Sequence, residues 1–301
     1  MKFRPLCRSD AGPLLEFWNA SARFDTLTPD LLAEKIWADE GFDPGMALVC
    51  ADAGQITGFV LGVMRQNAAG PRGIIKLLAV AGEQRRRGIG SRLLLAVEAE
   101  LAKRGAETVR VCESPPNYLT PGIDSRYSGA PHFFEKHGYV QVGEACNMTV
   151  DLEDRLFAGG DKERALQAQG IKIRRATADD RAAVTQFLES HWPPWRNEVI
   201  ASLLNKPPSL YLALDGSEVL AFSAYDANNR GAGWFGPMGT APAARRRGIG
   251  QLLLFRCLAD MAAQGHRYAT IPWVDPVGFY KQCAGAAVTR IFHRYEKVVK
   301  P

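Results

Sequence analysis

The sequence predicts two successive α+β domains, each built on a mostly antiparallel sheet with one strand-turn-helix at its centre. Three observations predict this. The hexapeptide Arg85-Arg86-Arg87-Gly88-Ile89-Gly90 recurs as Arg245-Arg246-Arg247-Gly248-Ile249-Gly250. Flanking residues keep the same offset of 160, with Leu93-Leu94-Leu95 on Leu253-Leu254-Phe255 and Gly105 on Gly265; further upstream, at an offset of 170, Lys2-Phe3-Arg4 answers Lys172-Ile173-Arg174 and Asp10 answers Asp180. The period is far too long for a solenoid, so the pattern is a tandem duplication. Finally, 301 residues with 47% hydrophobic and 23% charged side chains suit two ordinary globular cores rather than a disordered or fibrous chain. The expected division is 1–156 for the first domain, 157–170 for a linker marked by Gly159-Gly160, and 171–301 for the second.

The elements follow from periodicity. In the first copy Lys2–Arg4 is a short strand, and Ser9-Asp10 caps a helix. Thr28-Pro29-Asp30 starts a second helix that runs to Ala38. The β-branched runs Ala47–Ala51 and Gln55–Met64 meet at a Gly turn and read as antiparallel strands, with Ile74–Val80 next to them. A helix from Gly88 to Lys103 presents leucines on one face. Thr108–Cys112 is a strand, His132–His137 a helix, and Tyr139–Val142 and Cys146–Val150 close the domain. Asp161–Gln169 is a short polar helix or linker. The second copy repeats the order: strand Ile171–Arg174, helix Asp179–Ser190, strands Leu210–Asp215, Glu218–Tyr225 and Gly233–Thr240, helix Gly248–Ala263, strand Tyr268–Ile271, helix Val277–Cys283 and strand Ala287–Tyr295.

Composition narrows the function classes. The net charge of +5 is modest, and six of the basic residues are the two arginine triplets. That speaks for two local anion sites and against a nucleic-acid surface, for which neither a recognition helix nor an aromatic platform is evident. The six cysteines form no CxxC pair and the five histidines show no metal spacing, so no metal is expected. The first residues lack the apolar stretch of a signal peptide, and no apolar run approaches the roughly 20 residues of a membrane span. The expectation is a cytoplasmic protein without membrane contact.

Each basic turn suits a pyrophosphate. Gly88 and Gly90, or Gly248 and Gly250, allow close backbone approach, and the helix start offers unpaired N–H groups at the positive end of its dipole. The arginines add charge and bidentate donors. Neither turn continues as Gly-Lys-Ser/Thr or fits GxGxxG, which excludes a Walker loop and a dinucleotide fold.

A strand followed by Val80-Ala81-Gly82-Glu83-Gln84-Arg85-Arg86-Arg87-Gly88-Ile89-Gly90 resembles motif A of the GNAT superfamily of acyl-CoA-dependent N-acetyltransferases, and Thr240-Ala241-Pro242-Ala243-Ala244-Arg245-Arg246-Arg247-Gly248-Ile249-Gly250 resembles it again. Phe133-Phe134-Glu135-Lys136-His137-Gly138-Tyr139 is similar to the aromatic motif near the C-terminus of such domains. So is Phe279-Tyr280-Lys281-Gln282-Cys283-Ala284-Gly285-Ala286, with one extra residue before the glycine. The resemblance spans nearly the whole chain and is similar in arrangement to mycothiol synthase, a tandem two-domain form.

It implies two GNAT-like domains, each a mixed, mostly antiparallel splayed sheet flanked by helices, and acetyl-CoA as co-substrate. It implies that Arg85, Arg86, Arg87, Gly88, Ile89, Gly90 and Ser91, and Arg245, Arg246, Arg247, Gly248, Ile249, Gly250 and Gln251, hold the pyrophosphate. Leu78, Ala79 and Val80, and Met238, Gly239 and Thr240, would pair with the pantetheine arm. Asn117 would bond the same arm, or serve as a turn residue. The activity implied is transfer of an acetyl group to the primary amine of a small molecule by direct attack on the thioester. Tyr280 stands where the family's general acid stands; the first copy has Phe134 there, which has no proton to give. Glu113 and Asp275 are the candidate general bases, or plain surface carboxylates. Trp192-Pro193-Pro194-Trp195 stacks on an apolar or sugar-like acceptor, or forms a rigid turn. The segment Trp273–Tyr280 also resembles GNAT modules joined to β-N-acetylglucosaminidases, which points to amino-sugar acceptors. The competing reading is a non-catalytic acyl-CoA sensor or scaffold.

Overall fold

The computed structural model describes residues 1–67 and 70–299. The chain forms two compact units, Met1–Ala145 with Ile291–Pro301, and Cys146–Arg290.

The first unit begins with β1 (Lys2–Pro5), α1 (Ala11–Ser21) and α2 (Pro29–Lys35), then β2 (Ala47–Asp52), β3 (Gln55–Asn67) and β4 (Gly70–Val80). Thr28 caps α2 by accepting the Leu31 amide, with Pro29 at the first helical position. Next come α3 (Ile89–Lys103), β5 (Thr108–Val111), the two-residue β6 (Ile123–Asp124), α4 (Gly129–Lys136) and β7 (Val140–Asp151). β1 to β4 are joined antiparallel and β4 to β5 parallel. One face packs on α1 and α2 through Leu14, Phe17, Trp18, Phe59 and Ile74; the other packs on α3 through Val60, Ile75, Leu93 and Val97.

The second unit repeats the plan. α5 (Gly160–Ala168) precedes β8 (Ile171–Arg175), α6 (Arg181–His191), α7 (Arg196–Leu203), β9 (Leu210–Asp215), β10 (Glu218–Tyr225) and β11 (Phe235–Thr240). α8 (Ile249–Ala263), β12 (Tyr268–Ile271), α9 (Val277–Ala284) and β13 (Ala287–Val298) complete the chain. β8 to β11 form an antiparallel sheet in the order β11-β10-β9-β8. Its α8 face is lined by Tyr211, Ala213, Leu253 and Cys257, and its α6–α7 face by Leu188, Val199, Leu212 and Phe222. The predicted linker contains α5, whose Leu166 is buried in the α8-side core. α7 and β6 have no counterpart in the sequence reading.

The duplication extends to detail. Arg4 makes a two-pronged ion pair to Asp10, whose carboxylate also accepts the Cys7 amide. Arg174 does the same to Asp180, which accepts the Thr177 amide.

The units do not divide where the repeat divides. β7 and β13 each run from one unit into the other. Met148–Asp151, at the end of the first copy, pair antiparallel with β12 of the second. Glu296–Val298, at the end of the second copy, pair antiparallel with β5 of the first. Phe292 and Tyr295, earlier on β13, are buried in the first unit's part of the chain. Each repeat thus lends its last strand to the other repeat's unit. Backbone hydrogen bonds select a strand by register and face, not by its place in the sequence. The boundary drawn at 156 therefore lies inside the second unit, and 291–301 lie in the first.

Candidate functional site

Both basic turns adopt one backbone path. After β4, Ala81 (φ −52°, ψ 138°) leads into a 3-10 turn at Gly82–Gln84 and an extended Arg85 (φ −64°, ψ 160°). After β11, Ala241 (φ −50°, ψ 139°) leads into Pro242–Ala244 and Arg245 (φ −67°, ψ 164°). Arg86 and Arg246 are then left-handed, at φ 64° and 61°, and so are Gly88 and Gly248, at 79° and 82°. Left-handed residues this close together curl the chain so that successive N–H groups converge. Among the described residues no side chain caps α3 or α8. The first-turn amides and the positive helix end are the kind of group that suits an anion.

The two glycines of each turn serve different ends. A Cβ on Gly88 would meet nothing within 4 Å, so only its backbone angle calls for glycine. A Cβ on Gly90 would lie 3.4 Å from the Phe133 ring, and one on Gly250 would lie 3.3 Å from Met238 Cε; these glycines allow close packing. The arginines divide likewise. Arg85 Nε donates to Val80 O and Arg245 Nε to Thr240 O, each at 3.2 Å, tying the turn back to its strand. Arg87 bonds Gln84, and Arg247 bonds Gln169. Arg86 and Arg246 are exposed and make no side-chain hydrogen bond among the described residues. The sequence treats all three arginines as ligand donors, whereas the fold leaves the middle one unengaged.

Beside each turn the sheet parts. β4 and β5 pair from Arg72↔Thr108 to Ile75↔Val111 and no further, so Lys76–Val80 leave β5 behind. The β3–β4 register slips at the same point, between Leu61 and Gly62. In the second unit β11 and β12 are joined by the single bridge Trp234↔Thr270, and the β10–β11 register slips between Ser223 and Tyr225. Leu78–Val80 and Met238–Thr240 are therefore strand ends held on one edge and unpaired with β5 or β12 on the other.

The remaining candidates fare differently. Tyr280, on α9, is buried (7% exposed), with its ring against Phe279 and Phe235. Burial pushes its phenol up, so it holds its proton at neutral pH. Phe134 is its counterpart on α4, packed against Phe133 and Tyr139. Asp275 is exposed in the short turn between β12 and α9. Glu113 is buried, and its two oxygens accept from Arg110 and from Arg294 of β13. It is not a surface carboxylate: both oxygens are held by arginines. Asn117 is also spent elsewhere: its Nδ2 donates to Glu34 O at 2.7 Å and its Oδ1 accepts from Lys35 Nζ at 2.8 Å.

Asn117 belongs to a larger closure of the first unit. The long loop after β5 buries Tyr118 and Leu119, the latter within the α1–α2 core. Tyr127 Oη accepts the Phe24 amide, and Arg126 covers the Phe24 ring at 4.1 Å. Beneath it, Lys76 Nζ, fully buried, donates to Asp39 and to Lys35 O, while Arg65 joins Asp39 to Pro115 O. Burial lowers Lys76 to about 7 despite its carboxylate partner. The second unit has only Pro272–Pro276 in place of this loop. There Trp192 and Trp195 stack at 5.6 Å, and Trp192 seats its ring on Gly239 of β11 and against Phe222.

A model of the Acetyltransferase (GNAT) family matches residues 13–121 and 175–285. The chain belongs to the GNAT family. Solved structures extend this likeness to the tandem arrangement. The GNAT chain is similar to a GCN5-related glucosamine N-acetyltransferase region in a fungal multi-domain GH3 β-N-acetylglucosaminidase, with a TM-score of 0.83 and 18% identity. That match covers 98% of this chain and 38% of the other, so the chain spans well under half of that relative. It is similar to a GCN5-related N-acetyltransferase from Sphaerobacter thermophilus (TM-score 0.73, 20% identity, 100% and 96% of the two chains). It is also similar to a tandem GNAT protein from the clavulanic acid biosynthesis pathway (TM-score 0.71, 13% identity, 100% and 99%). No curated protein matches by sequence. At these identities the structural likenesses establish the fold. The chain is a tandem GNAT protein with an acyltransferase fold in both halves. Among the described residues no helix is long and apolar enough to cross a membrane.

Proposed function

We propose that this tandem GNAT protein is an acetyl-CoA-dependent N-acetyltransferase acting on the primary amine of a small molecule, and that the second domain performs the transfer. The observation that carries this reading is the contrast between the halves. Both keep the anion-binding turn beside parted strands, but the first domain fills the α1–α2 side of its gap with its own loop and has Phe134 where the second has Tyr280.

The backbone of Arg245–Gly250 and Gln251 would hold the pyrophosphate, and Met238–Thr240 would pair with the pantetheine arm. The left-handed cradle and the unpaired strand end fit both groups. When bound, acetyl-CoA supplies the acyl group as an activated thioester, open to direct attack by the amine. Tyr280, kept protonated by burial, donates a proton to the departing sulfur. Asp275, exposed at the end of β12, is the carboxylate left to accept the amine's proton, since Glu113 is ion-paired in the other domain. In the first domain Leu78–Val80 and Arg85–Ser91 would bind acetyl-CoA without turnover. That keeps the sensor reading for one half only.

The amine class we favour is an amino sugar. The Trp192–Trp195 stack offers a flat aromatic surface beside β11, and a similar fold is described as a glucosamine N-acetyltransferase region. Six unpaired cysteines fit a reducing cytoplasm. The test is thiol release from acetyl-CoA against glucosamine, other amino sugars, polyamines, amino acids, aminoglycosides and short peptides. Release with one class supports the enzyme and names its acceptor. Binding of acetyl-CoA with no release on any amine supports the sensor.

A further inference from the structure

The last strand of the first repeat brings one polar side chain to the parted edge of the second sheet. Asn147 lies on β7, next to Met148, which pairs with Ile271 at the end of β12. β12 has by then left β11: they are joined at the bridge Trp234↔Thr270, where the Thr270 amide donates to Gly233 O at 2.7 Å. Side chains alternate along a strand. Met148 and Val150 belong to the core under α8, so Asn147 and Thr149 face the other way. That is the face on which Trp192 covers Gly239.

Asn147 is 1% exposed. Its Oδ1 accepts the backbone amide of Trp273 at 3.0 Å. Because that amide can only donate, the orientation of the carboxamide is fixed and Nδ2 points the other way. Nδ2 is buried and has no hydrogen-bond partner among the described residues. A buried donor left unmatched forfeits its hydration without recompense, which a chain does not carry without return. In the first domain the corresponding position on β13 is Arg294, whose Nε and Nη2 donate to Glu113. At this pair of equivalent positions, the unmatched donor among the described residues lies in the half to which we assign the chemistry.

We propose that Asn147 Nδ2 selects the acceptor: it donates to an oxygen carried next to the reacting nitrogen, so that β-hydroxy amines, such as 2-amino sugars, are preferred over plain amines. This rests on the assignment of transfer to the second domain. A site built to hydrogen-bond a hydroxyl discriminates against an analogue that lacks it, because its own donor is then stranded. The selecting residue is lent by the first repeat, so the second repeat alone would lack it.

The test compares kcat/KM for 2-aminocyclohexanol with that for cyclohexylamine, two amines that differ by one hydroxyl. The wild type is expected to favour the hydroxylated amine by about tenfold or more. Asn147→Asp keeps the oxygen that accepts the Trp273 amide and removes the donor; Asn147→Ala removes both. In either variant the preference is expected to fall to about twofold or less, through KM for the hydroxylated amine, with acetyl-CoA Kd unchanged. Thermal unfolding of both variants accompanies the kinetics, and Asn147→Asp carries the comparison if the alanine variant fails to fold. A preference that survives in Asn147→Asp would overturn the proposal, and so would a wild type that takes both amines equally or refuses both. Gly248→Glu separates this from the assignment beneath it. If that variant loses turnover while Asn147→Asp keeps the wild-type preference, only the role of Asn147 falls. If Gly248→Glu keeps turnover, the second domain is not the catalyst.

Discussion

Gly239→Ala tests whether Trp192 is seated on the strand that we assign to the pantetheine arm. A Cβ at 239 would lie 2.7 Å from Trp192 Cζ3, 2.8 Å from Cη2 and 3.0 Å from Cε3. Carbon atoms at rest sit about 3.5–4.0 Å apart, so the indole must retreat by about 1 Å. It has little room: Trp195 is stacked on it at 15°, and the Phe187 and Phe222 ring centroids lie 5.9 and 6.0 Å away. Overpacking of this kind costs about 1–3 kcal/mol. The strand itself does not object, since the first repeat carries Ala79 at the equivalent place and alanine restricts the unfolded chain more than glycine. Gly239→Ala should therefore destabilise the wild type by about 1–3 kcal/mol but leave a Trp192→Ala background unchanged or slightly firmer. Urea unfolding of the four proteins in the cycle measures the coupling. A neutral Gly239→Ala in the wild-type background, or equal cost in both backgrounds, would refute the packing argument.

Other outcomes follow from single contacts. Tyr280→Phe should lower kcat about 100-fold with acetyl-CoA Kd unchanged, and Phe134→Tyr should restore nothing; an unaltered kcat in steady-state assays would remove Tyr280 from the chemistry. The Arg174 ion pair depresses Asp180 to about 2, so its stabilisation is present above the ordinary carboxylate range and is lost as pH falls toward 2. Arg174→Leu should cost about 1 kcal/mol at pH 6, after allowance for solvent screening, and almost nothing near pH 2. Denaturant titrations at the two pH values check this, and a penalty equal at both would count against it. Truncation after Arg290 removes the strand paired with β5 along with Phe292 and Tyr295. The first unit should then become sensitive to limited proteolysis throughout, and a protease-resistant 1–145 fragment from that truncation would contradict the interlock.

Local chemistry made much of the fold legible. β9, β10 and β12 begin and end where alternation and turn residues place them, and Thr28-Pro29 starts α2 as capping requires. The turns were legible because their glycines and arginines are needed by backbone angle and charge, and the duplication showed them twice. The exchange of final strands was not. Met148–Asp151 and Glu296–Val298 read as strands whichever sheet they join, and the partner is settled by long-range register alone. That exchange decides which residues meet, so Glu113 could not be recognised as the partner of Arg294, nor Asn147 as a residue of the second domain. The division of labour among the arginines was hidden for a related reason: identical letters in sequence, with the middle one of each triplet making no side-chain hydrogen bond among the described residues. α7 was missed because the prolines and tryptophans before it read as a turn, and its short apolar pattern adds little after them.

The central claim is that the second domain transfers the acetyl group while the first, if it binds acetyl-CoA, does not. Placing a carboxylate at the left-handed glycine of each turn, in Gly88→Glu and Gly248→Glu, should expel the pyrophosphate from one domain at a time. Thiol release from acetyl-CoA with glucosamine, measured on both variants beside the wild type, is the direct comparison. The account predicts that Gly248→Glu falls at least about 100-fold while Gly88→Glu stays within about twofold of the wild type. The opposite pattern, with turnover lost in Gly88→Glu and kept in Gly248→Glu, would contradict it.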